Sequence, residues 1–509
     1  MADHGRRETE LPRHARLPVP VSKLHSSSIT DKDRAMHAMP ADLSPSAPVA
    51  RANRNTRRLL AVTCSVLVLA GCTTTGYQKP NMAVPATFAA SGQAQSVDNS
   101  ANRWWLAFRD DRLNTLIARG LSQNLDIAQS LERINQANAG MIAAGATMVP
   151  AVSLSAGARH GTEGVSPAIT TASVGSSASW TLDLFGQYGQ SRQLAQANLD
   201  AAYFSVDIAR LTFLSELSNA YIDLRYYQES LALARASLAT RRETVALTET
   251  LFSSGAGSQL DVLQAQSALD AASMQVPGLE LGFIRSLNRL ATLTAQNSGA
   301  LETDLQKGAP QPWPRLRINA GIPADLVRQR PDIQAAERQL AAASAEAGIA
   351  QAQLYPSLSL TGNIQLVQMA GGAIGSWGFG PALNLPFLDG GRARANHQVA
   401  LSKVNQAYNS WQMAVRRAIE ETENGLAAVR RDSRSIETAQ KVVSIAEQTL
   451  GLARESYQAG QGQILDVLNA ERALFDARAS MASATQQYAR NYVVLNVAVG
   501  GGVAAIAAK

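Results

Sequence analysis

Cysteine, histidine and aromatic residues are scarce in this chain. Its 509 residues include two cysteines, Cys64 and Cys72, six histidines and only 5% aromatics. Two cysteines cannot build a disulfide framework. No His-Glu-x-x-His, phosphate-binding G-x-x-x-x-G-K-[ST] or G-x-S-x-G elbow occurs, so the common metal-hydrolase, nucleotide and serine-hydrolase chemistries have no carrier. No apolar run reaches eighteen residues, which excludes a membrane-spanning helix. If the chain crosses a membrane, it does so as a β-barrel. Proline is absent from 168 to 276 and after Pro386, where long helices are therefore permitted. A hydrophobic fraction of 46% excludes wholesale disorder.

The net charge of +6 gives no case for nucleic acid. Residues 1–71 carry eleven Lys/Arg and six Asp/Glu, a net of +5, while the other 438 residues carry 35 and 34, a net of +1. The basic part reads as an address. Arg51, Arg54, Arg57 and Arg58 precede the apolar run from Leu59 to Ala70, followed by Gly71 and Cys72. That order is a secretory signal with small residues at its cleavage point. A cysteine directly after them resembles a lipobox, which implies a mature chain beginning at a lipid-modified Cys72, with Thr73 favouring the outer membrane. Residues 1–50 lie upstream of a normal signal, and Met36 or Met39 makes a more ordinary start.

The mature chain is written twice. Gly255, Gly257, Asp261, Val262, Leu263 and Ala265 match Gly460, Gly462, Asp466, Val467, Leu468 and Ala470, each pair 205 apart. Asp126, Ile127 and Pro150 match Asp332, Ile333 and Pro356 at 206. This period is too long for a solenoid and describes a duplicated domain. The expected division is 1–71 signal and upstream segment, 72–300 first repeat, 301–330 Pro-rich connection, and 331–509 second repeat.

Each repeat shows two stretches of period-two alternation. Leu358, Leu360, Ile364 and Leu366 alternate with Ser357, Ser359, Thr361, Asn363 and Gln365. Val174, Ala178, Trp180, Leu182 and Leu184 oppose Ser173, Ser177, Ser179, Thr181 and Asp183. Trp377, Phe379, Leu383, Leu385 and Phe387 mark a third such face, and Val152 and Leu154 begin the fourth. Alternation over about ten residues is the barrel-strand pattern. Trp180, Phe185, Tyr355, Trp377 and Phe387 are expected in aromatic girdles near strand ends. Four strands cannot close a barrel. Two chains give eight, which side chains nearly fill; three give twelve and leave room for the polar faces to line water.

Long helices complete each repeat. From Ser191 to Phe252 there is neither Pro nor Gly. Val404, Tyr408, Trp411, Val415, Ala418, Thr422 and Leu426 approach a coiled-coil seam. The paired glycines then reverse the chain. Periodicity alone does not separate a tunnel wall from an ordinary bundle. Asp389-Gly-Gly-Arg392 reads as a strand-to-helix turn, and Glu420, Glu421 and Glu423 as a solvated or lumen-facing surface. Asp261 and Asp466 suit helix N-termini.

With these residues in order, the chain resembles the TolC-like outer membrane efflux family, specifically the NodT/OprM-type lipoprotein branch serving resistance–nodulation–division pumps. The motifs are Arg103-Trp-Trp105, Trp180-Thr-Leu-Asp183-Leu-Phe185-Gly186, Gly321-Ile-Pro323, Arg330-Pro-Asp-Ile333, Tyr355-Pro356 and Asp389-Gly-Gly-Arg392. The paired Gly-x-Gly…Asp-Val-Leu segments complete the set, and the resemblance spans nearly all of Cys72 to Gly502. It implies a mainly α protein with a membrane β-barrel: long helical hairpins forming an α-barrel, and four strands per protomer of a trimeric twelve-stranded barrel. It implies a passive drug-efflux duct with no catalysis, cofactor or metal. The implied partners are a periplasmic adaptor, an inner-membrane transporter and outer-membrane lipid. By position, the adaptor meets hairpin tips around Ser254, Gly255, Gly257, Gly460 and Gly462. The periplasmic gate falls on Leu465, Asn469 and Arg472, with Asp261 and Asp466 nearby. Relatives often carry a carboxylate where this chain has Asn469. The competing readings are a type I protein-secretion duct and a lipid-anchored periplasmic spacer without a pore.

Overall fold

A computed structural model describes residues 77–90, 99, 102–162, 168–315, 320–369 and 371–503. The lipobox with Cys72 lies outside the described residues. All those described belong to one compact unit, Ala70–Lys509.

After a 3₁₀ turn at Trp104–Phe108 come α1 (Asp111–Gln123), α2 (Leu125–Ala146), β1 (Ala151–Gly161), β2 (Ile169–Leu182), α3 (Gln187–Ser253), α4 (Gln259–Ser273), α5 (Val276–Leu293) and α6 (Ser298–Leu305). The second set is α7 (Pro323–Gln329), α8 (Pro331–Ala352), β3 (Ser357–Met369), β4 (Gly372–Asn384), α9 (Arg392–Gln458) and α10 (Ile464–Ala498). The order helix–strand–strand–long helix–return helix thus occurs twice. α3 and α9 are each 67 residues long, about 100 Å at about 1.5 Å per residue. Among the described residues no helix is long and apolar enough to cross a membrane.

Both long helices start at a glycine with positive φ, Gly186 (76°) and Gly391 (85°). The carboxylates just before them supply the missing acceptors. Asp183 accepts from the N–H groups of Tyr188 and Gly189, and Asp389 from those of Gly391 and Ala393. The Asp389 turn is thus the strand-to-helix turn expected from sequence. On α9, Trp411, Val415, Ala418, Thr422 and Leu426 are buried as the seam requires, but Tyr408 is exposed.

The widest core lies between the strands and the tips. Trp104, Leu113, Ile117, Leu214, Leu217, Tyr221, Leu290 and Val493 pack there. Trp104 Nε1 donates to the carbonyl of Gly501, which fastens the carboxyl-terminal turn to the Trp-Trp motif. Arg330 is buried; it forks onto Asp332 and also reaches Glu421 and the carbonyl of Ala498. The Arg-Pro-Asp-Ile motif is therefore a clamp joining α8, α9 and the end of α10. Glu421 and Glu423 are not free lumen charges. Glu423 accepts from the N–H groups of Ala89 and Ala90, holding an amino-terminal arm whose Phe88 enters the Trp411 core. Of that acidic trio only Glu420 is exposed.

Candidate functional site

The four strands form one antiparallel sheet in the order β1-β2-β3-β4. Its register sorts side chains into rungs. On one face run Leu182–Leu358–Leu383, Trp180–Leu360–Pro381, Val152–Ala178–Gly362–Phe379, Leu154–Ser176–Ile364–Trp377 and Ala156–Val174–Leu366–Gly375. On the other run Ala151–Ser179–Thr361–Gly380, Ser153–Ser177–Asn363–Gly378 and Ser155–Gly175–Gln365–Ser376. Ser153 and Ser177 hydrogen-bond at 2.7 Å on this polar face.

Among the described residues nothing covers the apolar face. Leu154 is 78%, Trp377 74% and Phe379 84% exposed. From Leu358 to Leu366 the belt measures about 27 Å along the strand, or about 20 Å at a barrel tilt, close to a hydrocarbon layer. Trp180, Phe185 and Tyr355 gather at the helix-proximal end. Phe185 stacks on Tyr355 at 4.7 Å and Trp180 Nε1 donates to the carbonyl of Met148. Trp377 does not join them: it lies opposite Ile364, in the middle of β4. The sheet ends earlier than the alternation suggested, leaving Leu184, Leu385 and Phe387 beyond the strands.

At the far end of the helices the two tips are built alike. Gly255 (φ 75°) donates to the carbonyl of Phe252, and Ala256 and Gly257 to that of Leu251. Gly460 (φ 70°) donates to the carbonyl of Tyr457, and Gln461 and Gly462 to that of Ser456. The first glycine of each pair supplies the left-handed turn. The second packs against the departing helix: a Cβ on Gly257 would lie 3.1 Å from that of Leu251, and one on Gly462 2.9 Å from Ser456 Oγ. Ser254 closes α3 with its N–H on the carbonyl of Thr250. Asp261 and Asp466 then begin the return helices, accepting from the N–H groups of Ser258 (3.2 Å) and Gln463 (3.3 Å). The Tyr457 hydroxyl titrates above its ordinary range because it is partly buried and then because Asp261 lies near.

Leu465, Asn469 and Arg472 form an exposed stripe on α10. With Leu468, Phe475 and Asp476 they line one side of a groove whose other side is Leu263, Gln264 and Ser267 of α4. The opposite face of α10 carries a group that sequence reading missed. Glu471 is buried, accepting from Thr244 Oγ1 of α3 (2.7 Å) and from Arg454 of α9 (3.1 Å). One carboxylate thus joins three helices beside the tip core of Val245, Leu450, Ile464, Val467 and Leu468. Its signal was available, since Glu471 follows Ile464, Val467 and Leu468 at helical spacing. Among the described residues no acid, His or Cys cluster could hold a metal.

A polar-faced membrane sheet, continuous with helices of about 100 Å, defines a channel-type outer-membrane protein rather than a soluble bundle. The model of the family "Outer membrane efflux protein" matches residues 116–296 and 322–501, and the chain belongs to that family. It is 40% identical over 449 residues to Nodulation protein T of Rhizobium leguminosarum bv. trifolii, covering 86% of this chain and 96% of that one. It is 28% identical over 459 residues to the pyoverdine export outer membrane protein OpmQ of Pseudomonas aeruginosa, covering 87% and 96%. The solved structure of the outer-membrane channel OprN matches with a TM-score of 0.76 at 29% identity, covering 85% of this chain and 99% of that one. The chain is thus an outer membrane efflux channel, with the TolC-like combination of helical-barrel and β-barrel portions.

Proposed function

We propose that three copies of this chain close into one duct that carries drugs or other small molecules passively outward. It would act as the exit of a pump energised by an inner-membrane transporter and joined to it by a periplasmic adaptor. The observation that carries this reading is the open sheet: one face is uncovered and apolar, the reverse is polar, and the edges β1 and β4 are unpaired among the described residues. Exposed edges invite pairing with further strands. Twelve strands satisfy both edges and enclose a lumen lined by Ser, Thr, Asn and Gln.

In this reading Leu465, Asn469 and Arg472 narrow the periplasmic end, and Gly255, Gly257, Gly460 and Gly462 shape the adaptor-facing tips with Ser254. Asp261 and Asp466 start the helices that present them. Cys72 carries the lipid anchor. Tyr77, five residues on, donates its hydroxyl to Glu337 of α8 at 2.6 Å.

Planar-bilayer recording of the mature protein tests the duct. Discrete steps, small at rest and larger in Leu465→Ala or Arg472→Ala, are the expected result. Silence in every variant despite confirmed insertion would leave a lipid-anchored spacer as the better account.

A further inference from the structure

Among the described residues three arginines are buried, Arg225, Arg241 and Arg330, and they are satisfied unequally. Arg330 meets Asp332 and Glu421. Arg225 donates to the Tyr221 hydroxyl, to Gln228 at 2.7 Å and to the carbonyl of Lys307. Arg241 of α3 is only 7% exposed. Its Nε reaches Ser237 Oγ at 3.4 Å and its Nη1 the carbonyl of Ala268 at 3.3 Å, both long for a charged donor. Among the described residues its Nη2 meets no acceptor, and no carboxylate stands at ion-pair distance. A buried cation without a counter-ion is costly, and a bound anion would offset that cost.

Arg241 lies in the groove between α4 and α10, which encloses about 530 Å³. That volume suits one small molecule. Leu263, Ala268 and Ala271 of α4 and Leu468 and Phe475 of α10 give it apolar walls. Its charged lining is Arg241, Arg472 and Asp476, two cations against one carboxylate, a net of +1. Two nearby acids do not line it and have their own donors: Asp270 accepts from Gln266, and Glu471 from Thr244 and Arg454. Two acids of 72–509 lie outside the described residues. Asp98 adjoins Asn99, which is held at Gln329, and Glu163 lies in the β1–β2 connection.

We infer that this groove binds a small amphipathic carboxylate, its anionic end on Arg241 and its apolar body between α4 and α10. The guanidinium is a planar donor fork that fits a carboxylate. Burial strengthens that pairing, because water competes little for the donors. Arg472 is exposed and adds a second cation on the α10 side. The apolar walls reward a ligand with a ring or short chain over a bare ion. The groove shares Leu465, Asn469 and Arg472 with the proposed gate. Its place on the transport route therefore rests on the duct proposed above, whereas the binding itself does not.

The test is calorimetric titration of the mature protein in detergent with 2-naphthoate, and with neutral 2-naphthamide as the charge control. The variants are Arg241→Gln and Ala271→Trp. Saturable naphthoate binding is expected, weakened about tenfold or more in Arg241→Gln, with naphthamide weaker by a similar factor. Ala271→Trp fills the groove from its exposed rim and leaves Arg241 in place, so it keeps the test decisive where Arg241→Gln fails to fold; it should abolish binding. No saturable naphthoate binding to wild type would overturn the site, and so would equal affinities for the two probes or an unchanged affinity in Ala271→Trp. Bilayer recording of the same preparation separates the two proposals. Naphthoate binding with no channels, despite confirmed insertion, would overturn the duct and leave the site; channels without naphthoate binding would do the reverse.

Discussion

The two halves of the molecule carry matched helices in unmatched surroundings. After the first tip the chain returns through α4 and α5, broken at Met274 and Gln275 with Pro277 in the first turn of α5. After the second it returns through the unbroken α10, whose Ala482 stands 205 residues after Pro277. α3 is buried along most of its length, between α2, α8 and α10, whereas α9 leaves Met413, Val442, Ile445 and Leu452 exposed. At one register position the contrast is chemical. Gln266 is exposed and bonds to Asp270 on its own helix, while its counterpart Glu471 is buried between Thr244 and Arg454. Duplication fixed the geometry of the hairpins; their neighbours then set which faces became core and which remained available to other chains.

Exchanging the proline between halves breaks the comparison most severely. Ala482→Pro removes a helix-interior hydrogen bond in α10 and is expected to cost about 3 kcal/mol or more, read as loss of thermal stability in detergent. Pro277→Ala, at an existing break, is expected to change little. Next comes Glu471→Ala. Removing one partner of a buried pair costs about 3–5 kcal/mol, but Arg454 is 36% exposed, and screening reduces the expected loss to about 2 kcal/mol. Gln266→Ala should stay within about 0.5 kcal/mol, and equal effects at the two positions would contradict the asymmetry.

Gly255→Ala and Gly460→Ala sharpen the comparison from the side of likeness. Both place a Cβ at positive φ with open space around it, so each should cost about 1 kcal/mol and the two should agree. The smallest effect concerns pH. The Asp389 carboxyl lies below the ordinary carboxylate range because the N–H groups of Ala393 and Gly391 donate to it. A lowered folded value means its contribution is complete above about pH 4 and is lost as pH falls through that lowered value. Carboxyl NMR titration against Asp389→Asn reads it directly.

Much of this architecture is legible in the sequence. The alternation of Leu358 to Leu366 placed β3, because a one-residue slip would reverse its faces. The Pro-free runs gave both long helices, and the 205-residue offset gave both tips. Other features depended on tertiary neighbours. Tyr408 fits the seam by spacing, yet its ring lies exposed beside Trp411 of its own helix. Glu421 and Glu423 resembled solvent charges because Arg330 and the Ala89–Ala90 backbone, which they serve, are far away in sequence. Trp377 looked like a girdle residue until the register set it in mid-belt.

A continuous duct requires that one sheet with two free edges close in three copies. Native mass measurement of the detergent-extracted particle tests it most directly. Three chains per particle are expected, dissociating only when the barrel unfolds. A stable particle of one or two chains that still conducts in bilayers would contradict it.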